Sequence, residues 1–191
     1  MKVRDSGMPN EELWEQLFDV GLVLDRLGID ASLADVAELG CGHGTFTIPV
    51  ARRISGTLHT YDIDEAMVAR TRERAADAGL ANVVAEHRDV LLHGFREPPG
   101  SQDACLLFNI LHHEEPMALL TAAAGIVRTG GLVFAIHWRH DAATPRGPDL
   151  SIRPRPEEIL AWAAEVGRFG VMSEVLDLPP WHFGLVLTVA R

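Results

Sequence analysis

Between Ala34 and Trp138, short apolar runs alternate with longer stretches of helical spacing, and this alternation restricts the fold more than any other feature of the chain. The runs are "ADVAEL", "TLHTYDI", "VVAEH", "DACLLFN" and "GLVFAIHW". The stretches "TFTIPVARRI", "EAMVARTRERAADAG" and "PMALLTAAAGIVR" read as helices, the second capped by Asp64 and stopped by Gly79. Helix alternating with apolar strand is the signature of βαβ units, whose parallel sheet is covered on both faces. An earlier stretch, "NEELWEQLFDVGLVLDRLG", repeats Leu13, Leu17, Val20, Leu24 and Leu27 at helical spacing, which predicts one helix from Asn10 to Gly28. The rhythm breaks after the helix "PEEILAWAAEVG". The strands "VMSEVLDL" and "FGLVLTVA" are separated only by "PPWH", too short for a parallel crossover. The expected fold is α/β: a doubly wound, mostly parallel seven-stranded sheet ending in a C-terminal antiparallel hairpin. At 191 residues, one domain spanning 1–191 is expected, and roughly 70% of the unfolded surface can be buried.

Charge and composition exclude several classes. Asp plus Glu number 27 against 17 Lys plus Arg, and a net charge of −10 repels a phosphate backbone, so no nucleic-acid partner is expected. The apolar runs fall well short of a membrane span. No signal peptide is read from "MKVRDSGMPNEELW". Two cysteines make no disulfide framework. A cytoplasmic location is the expectation. Oligomeric state is not legible.

The glycines set the site. "ELGCGHGTFT" carries Gly40, Gly42 and Gly44 at the end of the first strand, just before a helix. In a doubly wound sheet, ligands bind beyond the carboxyl ends of the strands, where a bare backbone admits close approach and helix N–H groups are free. A merely tight turn would not need three alternating glycines. The spacing G-x-G-x-G, with Thr45 where a dinucleotide fingerprint has its third glycine, departs from G-x-G-x-x-G. Asp62 closes the second strand, 22 residues after Gly40, where a carboxylate can accept from both hydroxyls of a ribose. That suits NAD or another adenosine-containing ligand.

The chain resembles the class I S-adenosylmethionine-dependent methyltransferases. More narrowly, it is similar to the small-molecule branch that includes ubiquinone and menaquinone biosynthesis-type enzymes. "ELGCGHG", "YDIDEAM", "HRDV", "FNILHHEEP" and "RTGGLVFAIHW" occur in the family's order, and the terminal hairpin completes the pattern. The resemblance implies a Rossmann-like methyltransferase fold, S-adenosyl-L-methionine as cofactor and S-adenosyl-L-homocysteine as product. It implies that Gly40, Cys41, Gly42 and Gly44 line the methionyl end, with Glu38 near its amino group. Asp62 would hold the ribose and Ile63 would pack on the adenine. Asp89 and Val90 would sit at the adenine edge, although a solvated turn carboxylate is the plainer reading of Asp89. Asn109 would border the sulfonium and the acceptor space. Two rival readings are an NAD-dependent oxidoreductase and a cofactor-binding regulator without catalysis.

Methyl transfer from a sulfonium needs a base only if the acceptor atom must lose a proton. His112 and His113 follow the fourth strand, and His137 and His140 flank the end of the fifth. All four are expected along the rim, with His113 or His112 as candidate base beside Asn109. Pocket-wall histidines are the plainer alternative. A metal site is not expected, since "HHEE" lacks the i, i+4 spacing of a helical histidine pair. Residues 1–30 form an expected helical cap, with Trp14 and Phe18 closing the pocket. Residues 139–156 read as a lid or acceptor loop. Its Arg139, Arg146, Arg153 and Arg155 suggest an acceptor with a carboxylate or phosphate. Ion pairs to Asp141, Asp149 or Glu157 are the equal alternative. Leu111, Trp138 and Trp181 suggest an apolar acceptor body. The expected partner is a small, partly apolar, anionic molecule.

Overall fold

The computed structural model describes residues 9–190, so residues 1–8 of the expected cap lie outside the described residues. Eight strands form one sheet in the order β3-β2-β1-β4-β5-β8-β6, with β7 also paired to β8. The parallel part comprises β1 (Val36–Leu39), β2 (Leu58–Asp62), β3 (Val83–His87), β4 (Gln102–Phe108) and β5 (Val127–Trp138). β8 (His182–Val189) runs antiparallel to β5.

The strand count corrects the expectation of seven. The stretch expected as one strand is two: β6 (Phe169–Met172) and β7 (Leu176–Leu178), both paired antiparallel to β8. Between them, the Ser173 hydroxyl oxygen accepts from Val186 N at 2.9 Å, and Ser173 N donates to Val186 O at 2.8 Å. A side-chain oxygen therefore takes a place in the ladder and the strand breaks there.

The first helix is also divided. α1 (Glu11–Glu15) is capped by Asn10, which accepts from Leu13 N. α2 (Val20–Leu27) starts at Asp19, which accepts from Leu22 N, and ends at Gly28 with φ 73°. Asp19 caps strongly and interrupts what apolar periodicity alone reads as continuous. The break lets Trp14 and Leu17 pack on Trp138 at the end of β5 while α2 lies on the sheet.

The sheet is covered on both faces. Val133 and Ala135 of β5 join the core beneath α6 (Pro116–Ile126) and α7 (Pro156–Val166), while Phe134 and Ile136 join the core beneath α2 and α3 (Thr47–Arg53). α4 (Glu65–Asp77) packs along β3 and β2, and Asp64 caps it as the sequence predicts. α5 (Val90–His93) is a single turn after β3. β1 has β2 on one side and β4 on the other, so the strand order reverses there. A crevice opens at that point, beyond the carboxyl ends of the strands. Among the described residues, no helix is long and apolar enough to cross a membrane.

Candidate functional site

A cavity of about 390 Å³ occupies this crevice. It is floored by the loop after β1, where Gly40, Gly42 and Gly44 have φ of 82°, 51° and 79°. Residues with a Cβ rarely adopt such values, which explains the alternate spacing. The three glycines divide by role. Gly40 and Gly42 line the cavity, and a Cβ on Gly40 would approach Ile110 Cγ2 to 3.0 Å. Gly44 is not part of the lining. A Cβ there would meet Thr71 Oγ1 at 3.1 Å, so this glycine serves the close packing of the loop on α4.

Asp62 ends β2 and faces the same loop. Its Oδ2 accepts from Gly42 N at 3.0 Å and its Oδ1 from Asp64 N at 2.9 Å. Two backbone N–H groups thus fix the carboxylate, and burial raises its pKa. Glu38 is 2% exposed, and its Oε2 accepts from Thr47 Oγ1 at 2.6 Å. Burial pushes its carboxyl up to about 7, with the negative Asp62 adding to the rise. Cys41, also in the lining, is a free, buried thiol whose pKa is raised by burial and then by Asp62. Ile63 and Val90 line the cavity, Ile63 with 45% of its surface exposed. Asp89 Oδ1 accepts from Leu91 N and Leu92 N at 3.0 and 3.2 Å, capping α5 while bordering the cavity. It is not simply a solvated turn carboxylate.

Asn109 follows β4 directly. It is the one non-glycine residue with positive φ among the described residues, at 56°. It is 7% exposed, lines the cavity, and neither Nδ2 nor Oδ1 has a hydrogen-bond partner there. A strained backbone and an unmatched buried amide are each costly, and both cluster at functional sites. The motif "FNILHHEEP" points to Asn109 in the sequence, but its positive φ is not legible there.

The histidines separate. His112 and His113 line the cavity. His113 Nδ1 accepts from Glu115 N at 2.9 Å, so its neutral form carries the proton on Nε2 and presents a donor. His112 Nδ1 lies 3.4 Å from His137 Nε2. His137 is fully buried rather than on the rim, and burial, then the neighbouring His112, holds it neutral. His140 is not on this rim either; it borders a separate hollow beside Arg139 and Arg155. His182 is buried against Phe18 and Trp138, and burial pulls its pKa down to about 3.

No residue of the loop 139–156 is in the lining of this cavity. Arg153 is 7% exposed, and its guanidinium donates to Arg139 O, Thr144 Oγ1 and Pro148 O at 2.8, 2.9 and 2.8 Å. It binds the loop to itself. Arg139 pairs with Asp141 and Asp177, and Arg155 with Glu157 at 3.9 Å. Of the three residues expected to form an apolar acceptor wall, Trp138 lines the cavity, while Leu111 and Trp181 do not. Phe46 and Phe108, their rings 5.0 Å apart, line it without having been singled out; their adjacency to the glycine run and to Asn109 was the available signal. Among the described residues, no group of three or more His, Cys, Asp and Glu side chains is arranged to hold a metal ion.

Comparisons with known proteins bear on this site. A SAM-dependent methyltransferase from Aquifex aeolicus is similar with a TM-score of 0.82 at 20% identity, over 95% of this chain and 94% of that one. The N-methyltransferase NodS from Bradyrhizobium japonicum gives 0.68 at 13% identity, over 90% and 96%. A geranyl diphosphate C-methyltransferase from Streptomyces coelicolor, solved with Mg2+, geranyl diphosphate and S-adenosyl-L-homocysteine, gives 0.69 at 14%, over 90% and 78%. At such identities the likeness speaks for the fold alone. No protein of curated function matches. The family model described as "Methyltransferase domain" matches residues 36–131, just over half of the chain. The chain therefore belongs to the methyltransferase-domain family.

Proposed function

We propose that the chain transfers a methyl group from S-adenosyl-L-methionine to a small-molecule acceptor, leaving S-adenosyl-L-homocysteine. The observation that carries this is the carboxylate of Asp62, held by Gly42 N and Asp64 N beside the left-handed Gly40 and Gly42 at the strand-order reversal. The residues present fit the group. Asp62 suits a ribose diol and the buried Glu38 an amino group, while Ile63 and Val90 offer apolar contact to a purine beside Asp89. The unmatched amide of Asn109 lies on the same cavity, toward the acceptor side. Bound there, the cofactor supplies a methyl carbon already activated on sulfur, open to in-line displacement.

What remains for the protein is alignment, which supplies roughly 7–11 kcal/mol in favourable cases. The glycine loop fixes one partner by its backbone, and Asn109 and the aromatic walls bound the space for the other. The whole chain acts as one domain in this reading, with α1 and α2 as its cap. The narrower likeness to ubiquinone and menaquinone-type enzymes rests on the motif set from "ELGCGHG" to "RTGGLVFAIHW". A cytoplasmic location accords with two free, buried cysteines.

Calorimetry tests the cofactor: S-adenosyl-L-methionine and its demethylated product bind, and NAD does not compete. Tighter binding of NAD would overturn the reading. Incubation with methyl-labelled cofactor and a panel of metabolites then tests transfer.

A further inference from the structure

On the side assigned to the purine, the cavity wall is a short segment whose far end is tied to β2 by a carboxylate outside the lining. Arg88, Asp89, Val90, Leu91 and Leu92 line the cavity where the chain leaves β3 and forms the single turn α5. Val90 and Leu91 pack on the core from this turn, but Leu92 is 63% exposed. The place of the wall therefore depends on how the two ends of the segment are held. At its start, Arg88 N donates to Asp62 O at 2.8 Å. The Arg88 guanidinium donates to Gly94 O and His93 O, both at 2.6 Å, which closes the turn on itself.

The far end is held by different groups. Phe95 packs edge-on against Tyr61, with ring centres 5.5 Å apart. The Tyr61 hydroxyl donates to Glu97 Oε2, and Glu97 Oε1 lies 2.8 Å from His59 Nδ1. His59 and Tyr61 stand two residues apart on β2 and so point to one face of the sheet. Burial, and then the Glu97 carboxylate, raise the pKa of the Tyr61 phenol, which keeps the proton on tyrosine and leaves Glu97 the acceptor. The neighbouring Arg96 also reaches the sheet, pairing with Glu86 of β3 at 2.8 Å, but its side chain is 63% exposed, where an ion pair contributes little. The Glu97 side chain is only 11% exposed, so its loss leaves the Tyr61 hydroxyl poorly matched. Tyr61 in turn lines the cavity, accepts from Gly40 N at 2.7 Å through its carbonyl, and directly precedes Asp62.

Resting on the methyltransferase reading above, we infer that Glu97 is a positioning residue for the nucleoside half of the cofactor: through Tyr61 and His59 it sets the distance between the wall from Asp89 to Leu92 and the ribose carboxylate of Asp62. Glu97 is not in the cavity lining and acts through the residues that are. A binding site keeps its geometry only as well as the residues behind it are held, and a drift of about 0.5 Å already loosens the fit. One carboxylate here ties the purine wall to the strand that carries both the ribose group and the contact to the glycine loop.

The test titrates the full chain, well below its melting temperature, with S-adenosyl-L-homocysteine and with 5′-methylthioadenosine, which carries the nucleoside without the amino-acid group. Glu97→Ala is expected to raise both dissociation constants by roughly tenfold, and by similar factors, because only the nucleoside half is disturbed. Glu97→Gln keeps an acceptor for the Tyr61 hydroxyl and should recover part of both affinities, which a general loss of stability would not predict. Tyr61→Phe keeps the ring in the lining and removes the hydroxyl, so it too should weaken both ligands. Adding Glu97→Ala to it should cost less than Glu97→Ala costs alone. Should Glu97→Ala fail to fold, Glu97→Gln and Tyr61→Phe carry the test: binding weaker in Tyr61→Phe than in Glu97→Gln supports the inference, and unchanged affinity in Tyr61→Phe overturns it. Unchanged affinity in folded Glu97→Ala, no recovery in Glu97→Gln, full additivity in the double variant, or a loss confined to S-adenosyl-L-homocysteine would also overturn it. So would a wild-type chain that binds S-adenosyl-L-homocysteine but not 5′-methylthioadenosine. A wild-type chain that binds neither ligand would instead sink the underlying methyltransferase reading.

Discussion

At the ends of β1 and β2, the cavity is made from one short stretch of chain and one strand-terminal carboxylate, joined by backbone hydrogen bonds. Around Asn109 it is assembled from α1, the segment between β4 and α6, and the end of β5, joined by ring packing. The first half leaves little for side chains to decide: Gly40 and Gly42 need left-handed φ, and Asp62 is fixed by two N–H groups. The second half holds Asn109 with its amide unmatched, and walls that a change of side chain can reshape. A half fixed by backbone suits a ligand that never changes, and a half fixed by packing suits one that can differ between relatives.

The largest effect that can break this comparison is expected at Gly42. In Gly42→Val the branched Cβ must sit at φ 51° on the cavity floor, at a strain of about 1–3 kcal/mol before any clash with ligand. Cofactor affinity is expected to fall by roughly a hundredfold or more, measured by calorimetry, with circular dichroism showing a folded chain. Gly44→Ala is its control. That residue faces Thr71 rather than the cavity, so melting temperature should drop while affinity stays nearly constant. Equal losses of affinity in both variants would erase the distinction between them.

Asp62→Ala comes next. It removes a charge-assisted acceptor worth roughly 1.5–3 kcal/mol, so the cofactor dissociation constant should rise at least about tenfold. Retained affinity would show that the glycine backbone alone holds the ligand and that the carboxylate only orders the loop.

The two halves were unequally legible. The alternation of apolar runs and helices carried the parallel sheet, its helical cover and the terminal antiparallel pair, because burial on both faces leaves an unbroken apolar imprint on each strand. Asp64, Gly28 and Gly79 marked helix ends for local reasons that a sequence displays. What escaped depended on side chains that compete with the local pattern or on partners distant in the chain. The break at Asp19 and the substitution of Ser173 for a ladder group interrupt patterns that periodicity alone continues. Arg153 looked available for an anion because no sequence shows that Arg139 O, Thr144 Oγ1 and Pro148 O surround it. His137 and His140 adjoin the same strand end, yet one is buried and the other borders a different hollow.

Arg153→Met sharpens that last point. Its guanidinium closes the loop over Trp138, 5.8 Å from the ring centre; Arg153 is not itself in the cavity lining and adjoins it through that ring. Loss of its hydrogen bonds should cost about 1–2 kcal/mol, and at this chain length each kcal/mol lowers the melting temperature by roughly 2–4 °C. Acceptor KM should hold. A raised KM without a fall in melting temperature would return the loop to the acceptor site.

The smallest effect is a pH dependence, and it probes the backbone-built half from within. Glu38 is buried, and its carboxyl stands at about 7 rather than 4.5 because desolvation, and to a lesser degree the charge on Asp62, disfavours ionisation. The folded chain therefore holds this proton more tightly than the unfolded chain does. The stabilisation is complete below 4.5 and is lost as pH rises through about 7. Thermal melts of the ligand-free chain should show a downward slope across this window that Glu38→Gln flattens, since an amide can still accept from Thr47 Oγ1 and carries no charge. A ligand with an ammonium beside Glu38 favours the ionised form, so wild-type cofactor affinity should rise over the same window and Glu38→Gln should abolish that rise. A slope that persists unchanged in Glu38→Gln would assign the titration to another group, with Asp62, whose pKa burial also raises, as the next carboxylate to replace.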